Sequence, residues 1–166
     1  DVDFFVTADG DDLFCEPELV DLAFDQFDKT NADFIEGVKN IVGSFTYAIR
    51  TAALEKACVM KDSDDTEMMW VYFKETNIFK CEELTPIDPL FVRPKIRMTL
   101  DYQEDLAFFS NVTRALGGST ADFSLRDIVS YLDVNPDVVK INSARHKDWA
   151  INQKQKTKLV LKNKIL

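Results

Sequence analysis

The chain opens with an apolar stretch that gives way to a cluster of carboxylates. Residues 4–7 (FFVT) are aromatic or β-branched, which favours a buried strand. Residues 9–12 (DGDD) follow, and from residue 16 to 29 the apolar positions recur at helical spacing after an acidic, proline-containing first turn. Ligands of open α/β sheets bind beyond the carboxyl ends of the strands. The pattern therefore predicts a ligand site at residues 9–12.

The later hydrophobic pattern predicts further strands and helices. We expect strands at 32–35, 77–84 and 95–100, and helices at 45–60, 66–74, 106–116, 125–132 and, more briefly, from 135. Gly117 and Gly118 stop one of these helices, and Ser124 caps the next. The lysine-rich end of the chain, residues 143–166, is weakly patterned and predicts a partly ordered tail. Strands alternating with helices predict an α/β fold, with a mostly parallel sheet between two helical layers.

Composition narrows the class of protein. A length of 166 residues suggests one domain, and 20 basic against 29 acidic side chains give a net charge of −9, which argues against a general nucleic-acid binder. No apolar run approaches the roughly 20 residues of a membrane span. The three cysteines are far apart and have no zinc-site spacing, as expected for reduced thiols in a cytoplasmic protein. Because the first residues already resemble a strand interior, we also expect an upstream segment to be absent.

Two of the predicted strands end in aspartate followed by an acidic helix start. Asp11 follows the first strand, and Asp101 follows the strand predicted at 95–100. Both strand ends would lie along the same rim of the sheet, where two carboxylates could hold Mg²⁺ against a phosphate. The alternative role for each aspartate is that of a helix cap.

The order of several segments resembles the sugar-activating nucleotidylyltransferases. The region VTADGDDLFCEPELVDLAF resembles their Thr-Gly-Asp-x-Pro-type segment, and KIRMTLDYQEDLAFF resembles their Arg-Leu-Thr-x-Asp-x-x-x-Asp-Leu segment. Between and after these, DFI, VGSFTYAIRTAALEKA, DSDDTEMMWVYF and SYLDVNPDVVKINSA are similar to further segments of that family in the same order. The resemblance covers Val6–Ala144. The groups concerned are the cytidylyltransferases that make CMP-activated sugar acids and the spore-coat-polysaccharide type.

The resemblance implies a fold and a reaction. The fold would be a three-layer α/β/α sandwich of the nucleotide-diphospho-sugar transferase type, with a mixed, mostly parallel sheet truncated at its N-terminus. Residues 1–144 would form a partial nucleotidyltransferase domain, and 145–166 a basic C-terminal tail. The reaction would transfer a cytidylyl group from CTP to a sugar acid with Mg²⁺, releasing pyrophosphate for surface-glycan biosynthesis. A homodimer would be compatible, and the family's upstream phosphate-binding loop is not present in the chain.

The resemblance also implies site residues. Asp11 and Asp101 match the family's two aspartates and would be catalytic metal ligands. The residues expected to contact substrate are Gly10, Asp12, Gly43, Glu67 and Arg97.

Each of these substrate contacts has a structural alternative. Arg97 would lie on the solvent face of an alternating strand, Glu67 would belong to a capping box near Thr66, and Gly43 would form an ordinary turn. The chain also departs from the family pattern, since Leu13 stands where proline is usual and Asp9 adds a carboxylate before the glycine.

Two other functional classes stay open. Asp9 and Asp11, separated by a glycine after an apolar strand, also resemble the Asp-x-Asp nucleophile and acid of aspartyl-phosphate phosphatases, although Leu13 departs from that pattern. The missing phosphate-binding loop alternatively favours a non-catalytic domain that only associates with partners.

Overall fold

The computed structural model describes residues 2–118 and 123–162. Within these ranges, four strands form one sheet in the order β1–β3–β2–β4. The strands are β1 (Phe4–Val6), β2 (Phe34–Glu36), β3 (Tyr47–Arg50) and β4 (Cys81–Glu83). Strands β1 and β2 each pair antiparallel with β3, and β2 pairs parallel with β4. Three strands therefore run in one direction and β3 runs against them, which makes the sheet mixed, as predicted.

Helices follow or precede these strands along the chain. They are α1 (Pro17–Thr30), α2 (Thr51–Met60), α3 (Trp70–Lys74), α4 (Gln103–Leu116), α5 (Leu125–Val134), α6 (Pro136–Lys140) and α7 (Arg145–Lys156). None of the helices in the described ranges is long and apolar enough to cross a membrane.

The sheet is covered on both faces. Phe4, Ile35 and Ala48 point to one face and pack in a core with buried side chains of α1, α4 and α5. Phe34 and Ile49 point to the other face and pack against α2 and α3. Successive strand side chains alternate between the two faces, so each short strand contributes to both cores. The predicted three-layer α/β/α architecture is confirmed.

One buried carboxylate joins two helices on the first face. Glu16 is 4 % exposed, and its Oε1 accepts a hydrogen bond from the Glu18 backbone N–H at the start of α1. Its Oε2 accepts a hydrogen bond at 2.9 Å from the backbone N–H of Leu125, the first residue of α5. Ser124 and Asp127 complete a capping box at that helix. Helices α1 and α5 therefore begin from a shared cap beside the loop that follows β1.

The helix predicted at 45–60 is wrong over its first part. Tyr47–Arg50 form β3, and the helix begins only at Thr51. The β3 backbone is bonded on both sides, to β1 and to β2, and this pairing overrides the helical spacing of its apolar residues.

The strand predicted at 95–100 is also wrong. Only an isolated bridge joins Arg97 to Val42, and residues 96–99 are buried one after another. Residues 96–99 lie inside the molecule, between the exposed Lys95 and the partly exposed Leu100. Charged and apolar residues alternate in this segment, but its side chains do not alternate between solvent and core.

Two further predictions need their boundaries changed. The helix expected at 66–74 begins at Trp70, and the strand expected at 77–84 is confined to Cys81–Glu83. The tail predicted at 143–166 contains the helix α7, after which the Val160 carbonyl accepts from the Asp62 N–H and the Lys162 N–H donates to the Met60 carbonyl. Residues 163–166 lie outside the described part.

Candidate functional site

The loop after β1 and the segment before α4 meet at a single threonine. The Thr99 hydroxyl lies 3.2 Å from Asp11 Oδ2 and 3.3 Å from Asp101 Oδ2. The Leu100 backbone N–H donates to the Asp11 carbonyl at 3.0 Å, which ties the two segments together. Asp11 and Asp101, which are 90 positions apart in the sequence, therefore lie side by side.

Each of these two carboxylates has one free oxygen. Thr99 is 5 % exposed and has a single hydroxyl hydrogen for two acceptors. Among the described residues, neither Asp11 Oδ1 nor Asp101 Oδ1 accepts a hydrogen bond. The free oxygens are available to a ligand that supplies positive charge.

The loop at 9–12 concentrates negative charge. Burial raises the pKa of Asp12 to about 6, and the neighbouring Asp11 charge adds to the effect, while a hydrogen bond from Thr46 at 3.1 Å opposes it. Burial and the Asp11 charge also raise the pKa of Asp9. Burial, the larger cause, and repulsion from the neighbouring Asp11 carboxylate together disfavour the ionised forms of Asp9 and Asp12.

Arg97 is buried and pairs with Asp101. The alternative that placed Arg97 on the solvent face of a strand is therefore wrong. The Arg97 side chain is 1 % exposed, and its Nη2 donates to Asp101 Oδ2 at 2.5 Å. The guanidinium carbon is 5.5 Å from the ring centroids of both Tyr102 and Trp149. Arg97 is therefore a buried group of the site that touches Asp101 directly.

A fully buried aspartate, Asp105, holds this arrangement. Its Oδ1 accepts from Arg97 Nε at 3.1 Å and from Asn142 Nδ2 at 2.9 Å. Its Oδ2 accepts from Arg97 Nη2 at 3.2 Å and from the backbone N–H groups of Asp101 and Tyr102 at 3.0 Å each. Asp105 thus fixes both the arginine and the backbone that carries Asp101.

The two glycines proposed to contact substrate differ in their surroundings. Gly43 has a φ of +86°, and a Cβ built there would lie 2.0 Å from the Met98 carbonyl oxygen. The Met98 N–H donates to the Val42 carbonyl at 2.8 Å, so the absent side chain lets the two backbones approach beside Thr99. Gly10 has open space around its Cβ position.

Glu67 lies outside α7 and contacts Lys156, the last residue of that helix. Its carboxylate accepts from Lys156 Nζ at 2.5 Å, and its backbone N–H donates to Asp65 Oδ1. The hydrogen bond with Glu67 raises the pKa of Lys156, and the more distant Asp101 charge acts in the same direction. The capping-box alternative for Glu67 is wrong, because α3 begins three residues later, at Trp70.

The oxygen atoms at this site fit Mg²⁺ of the kind held with a substrate. In residues 2–118 and 123–162, no three His, Cys, Asp or Glu side chains converge to hold a metal alone. Mg²⁺ commonly binds through one or two carboxylates together with substrate phosphates and water. Asp11 and Asp101, each with one oxygen that accepts no hydrogen bond among the described residues, meet that requirement.

Three residues of the site were not identified from the sequence. Thr99, Asp105 and Asn142 all lie inside the segments that resemble the nucleotidylyltransferases, yet their roles depend on contacts between distant parts of the chain. The sequence offered one signal for two of them: Thr99 and Asp105 are polar residues that stand two positions before Asp101 and four positions after it.

Comparisons with known proteins bear on the fold. No family model matches the chain. Over 143 residues, 85 % of the chain, it is 30 % identical to the uncharacterized protein MJ1063 of Methanocaldococcus jannaschii, and it covers 58 % of that protein. The structure of a cytidylyltransferase from Leptospira borgpetersenii serovar Hardjo-bovis superposes with a TM-score of 0.69 at 20 % identity, covering 83 % of this chain and 59 % of that one.

The chain thus spans less than two thirds of the length of both proteins it matches. The chain has a fold similar to that of this cytidylyltransferase.

Proposed function

We propose that the chain is part of a cytidylyltransferase that transfers CMP from CTP to a sugar acid and releases pyrophosphate. The observation that carries the proposal is the meeting of Asp11 and Asp101 at Thr99, in a fold similar to that of a cytidylyltransferase. The resemblance of the sequence segments, found independently of the structure, supports the same reaction. A role in surface-glycan biosynthesis follows from the groups resembled.

In this proposal the carboxylates bind the cation and the surrounding residues orient them. Asp11 and Asp101 would hold Mg²⁺, which when bound would neutralise charge on the α-phosphate that is attacked. Arg97 donates a hydrogen bond to Asp101, and Asp12 adds negative charge beside Asp11. Gly10, Gly43 and Glu67 are proposed to contact the substrates.

The test measures nucleotide binding and pyrophosphate release. The longer protein of which this chain is proposed to be part is titrated with CTP and Mg²⁺ and is then incubated with a panel of sugar acids while pyrophosphate is followed. Asp11→Asn and Asp101→Asn keep the side-chain shape and remove the charge. We expect each to lower the rate about 100-fold because a ligand of the cation is lost.

The matched control removes a carboxylate away from the site. Asp137 is exposed on α6 and pairs with Lys140, so Asp137→Asn should leave nucleotide binding and rate unchanged. Pyrophosphate release that survives Asp101→Asn would contradict the site assignment. Hydrolysis of a simple phosphate ester that disappears in Asp9→Asn would instead favour the phosphatase. No thermal shift with any nucleotide would favour the interaction domain.

The remaining expectations stay predictions. They are the homodimer, the cytoplasmic location and the domain boundary between residues 144 and 145. The identity of the sugar acid is to be read from the panel.

A further inference from the structure

We infer that Asp105 and Asn142 are positioning residues that act through Arg97 to orient the Asp101 carboxylate. The inference rests on the proposed function, because it concerns the same cation site. Among the described residues neither of them forms a hydrogen bond with Asp11, and both are buried, with Asp105 at 0 % and Asn142 at 1 % exposure. Asp105 acts on Asp101 through Arg97 and through a hydrogen bond from the Asp101 backbone N–H, whereas Asn142 acts through Asp105 and Arg97.

The first step is the grip of Asp105 on Arg97. Two guanidinium nitrogens of Arg97, Nε and Nη2, donate to the two oxygens of Asp105 at 3.1 and 3.2 Å. This forked contact fixes the plane of the guanidinium as well as its position. Nη2 then has a second hydrogen, which it donates to Asp101 Oδ2.

The second step is the role of Asn142, which follows α6. Its Nδ2 donates to Asp105 Oδ1 at 2.9 Å and to the Arg97 backbone carbonyl at 3.0 Å. One amide group thus binds both partners of the buried ion pair. Asn142 therefore holds Asp105 and Arg97 at a fixed separation.

The third step is the effect on Asp101. Arg97 and Thr99 both engage its Oδ2, and the Asp101 N–H is bonded to Asp105, so the carboxylate can neither turn nor withdraw freely. Its Oδ1 is left without a hydrogen bond among the described residues. The arrangement presents one oxygen of Asp101 in a defined direction.

Stability alone gives no reason to bury these charges. Buried ion pairs are often no more stabilising than apolar residues of similar volume, because both charges lose their hydration. Arg97 Nη1 is also buried and lacks a hydrogen-bond partner in the described part of the chain. An arrangement that tolerates such desolvation is consistent with selection for geometry.

The test measures Mn²⁺ affinity in the presence of CTP, on the full chain at pH 7.5, because the site is expected to hold the cation together with substrate phosphates. Asn142→Leu removes the hydrogen bonds at similar volume, and Asn142→Asp adds a negative charge. Positioning predicts that both variants weaken Mn²⁺ binding about tenfold. A purely electrostatic influence predicts no change for Asn142→Leu and tighter binding for Asn142→Asp.

The control is another buried amide outside the site. Gln26 is 7 % exposed and bonds to Glu82, the Glu83 carbonyl and the Thr85 N–H, so Gln26→Leu should destabilise the fold without changing Mn²⁺ affinity. Urea unfolding of every variant separates loss of fold from loss of geometry. If Asn142→Leu does not fold, Asn142→Ser replaces it with the same expected weakening.

The outcomes separate the two proposals. Mn²⁺ binding that depends on Asp101 but is unchanged in the Asn142 variants would overturn the positioning role alone. Mn²⁺ binding by the wild type that is insensitive to Asp101→Asn would overturn the cation site, and the positioning role with it.

Discussion

Asp12 is the carboxylate most affected by its surroundings. It is partly buried, it adjoins Asp11, and Thr46 donates a hydrogen bond to it at 3.1 Å. In the metal-free protein the ionised form is therefore unfavourable, and a proton or a cation relieves it.

A pH-dependent loss of stability follows. The pKa of Asp12 is about 6 in the folded chain and near 3.8 in the unfolded chain, so between these values the folded state binds more protons. Stability should fall as pH rises through that window, and the penalty should be fully present above pH 6. Its upper limit is about 3 kcal/mol.

The variant Asp12→Asn removes this ionisation and keeps an acceptor for Thr46. In EDTA, we expect it to raise the free energy of unfolding at pH 7.5 by about 1–3 kcal/mol and to change it little at pH 4. Urea unfolding at both pH values measures this. An equal gain at the two values would mean that the effect is not electrostatic.

At the residue scale, the sequence predicts that Asp11 and Asp101 lie close together, but it does not predict the buried hydrogen bonds that hold Asp101. The two aspartates could be placed at strand ends because apolar stretches precede them. The burial of Arg97 could not be predicted, since it depends on Asn142, 45 positions away, and on packing of Trp149. Charged residues in an alternating stretch look exposed until their partners are known.

Among the elements, the shared cap of α1 and α5 has the clearest consequence. Glu16 supplies one oxygen to each helix start, so a single side chain orients two helices that pack on the same face of the sheet. Both helix starts carry orphan N–H groups that need such an acceptor.

Loss of this carboxylate should weaken both helices together. We expect Glu16→Ala to lower the free energy of unfolding by about 2–4 kcal/mol, because two caps are lost and the Leu125 N–H is left buried. Hydrogen exchange at Leu125 should speed up. The control is Glu18→Ala, which removes an exposed pair with Arg126 and should cost less than about 1 kcal/mol.

The elements that the sequence predicted best were those with local signals. Helix α5 has its serine cap, α4 has its glycine stop, and both begin or end within a few residues of the expected positions. Strand β3 was missed because its pairing with β1 and β2 is a long-range property. Helix α7 was missed because it buries no side chain and so has little apolar periodicity.

At the scale of the whole molecule, α7 connects several segments near the candidate site through contacts at its start, middle and end. Arg145 pairs with Glu104 at its start, Trp149 covers Arg97 in its middle, and Lys156 pairs with Glu67 at its end. The strand-like segment after it then pairs with residues 60–62.

Deletion of residues 145–166 tests the predicted domain boundary. Because α7 buries no side chain, we expect the shortened chain to fold, with a free energy of unfolding lower by about 2–3 kcal/mol from the lost contact with Arg97 and the lost ion pairs. The Asp62 amide should exchange faster, while those of β2 should not. A chain that fails to fold would show that the boundary at 144 is wrong.

The position of Trp149 gives the protein a built-in optical reporter. The chain has two tryptophans, and Trp70 packs with the core on the opposite face of the sheet, beside α2. Replacing Trp70 by phenylalanine would leave all indole emission to arise next to the guanidinium that holds Asp101. Any ligand that displaces that guanidinium would then change the colour or intensity of the emitted light, without a label.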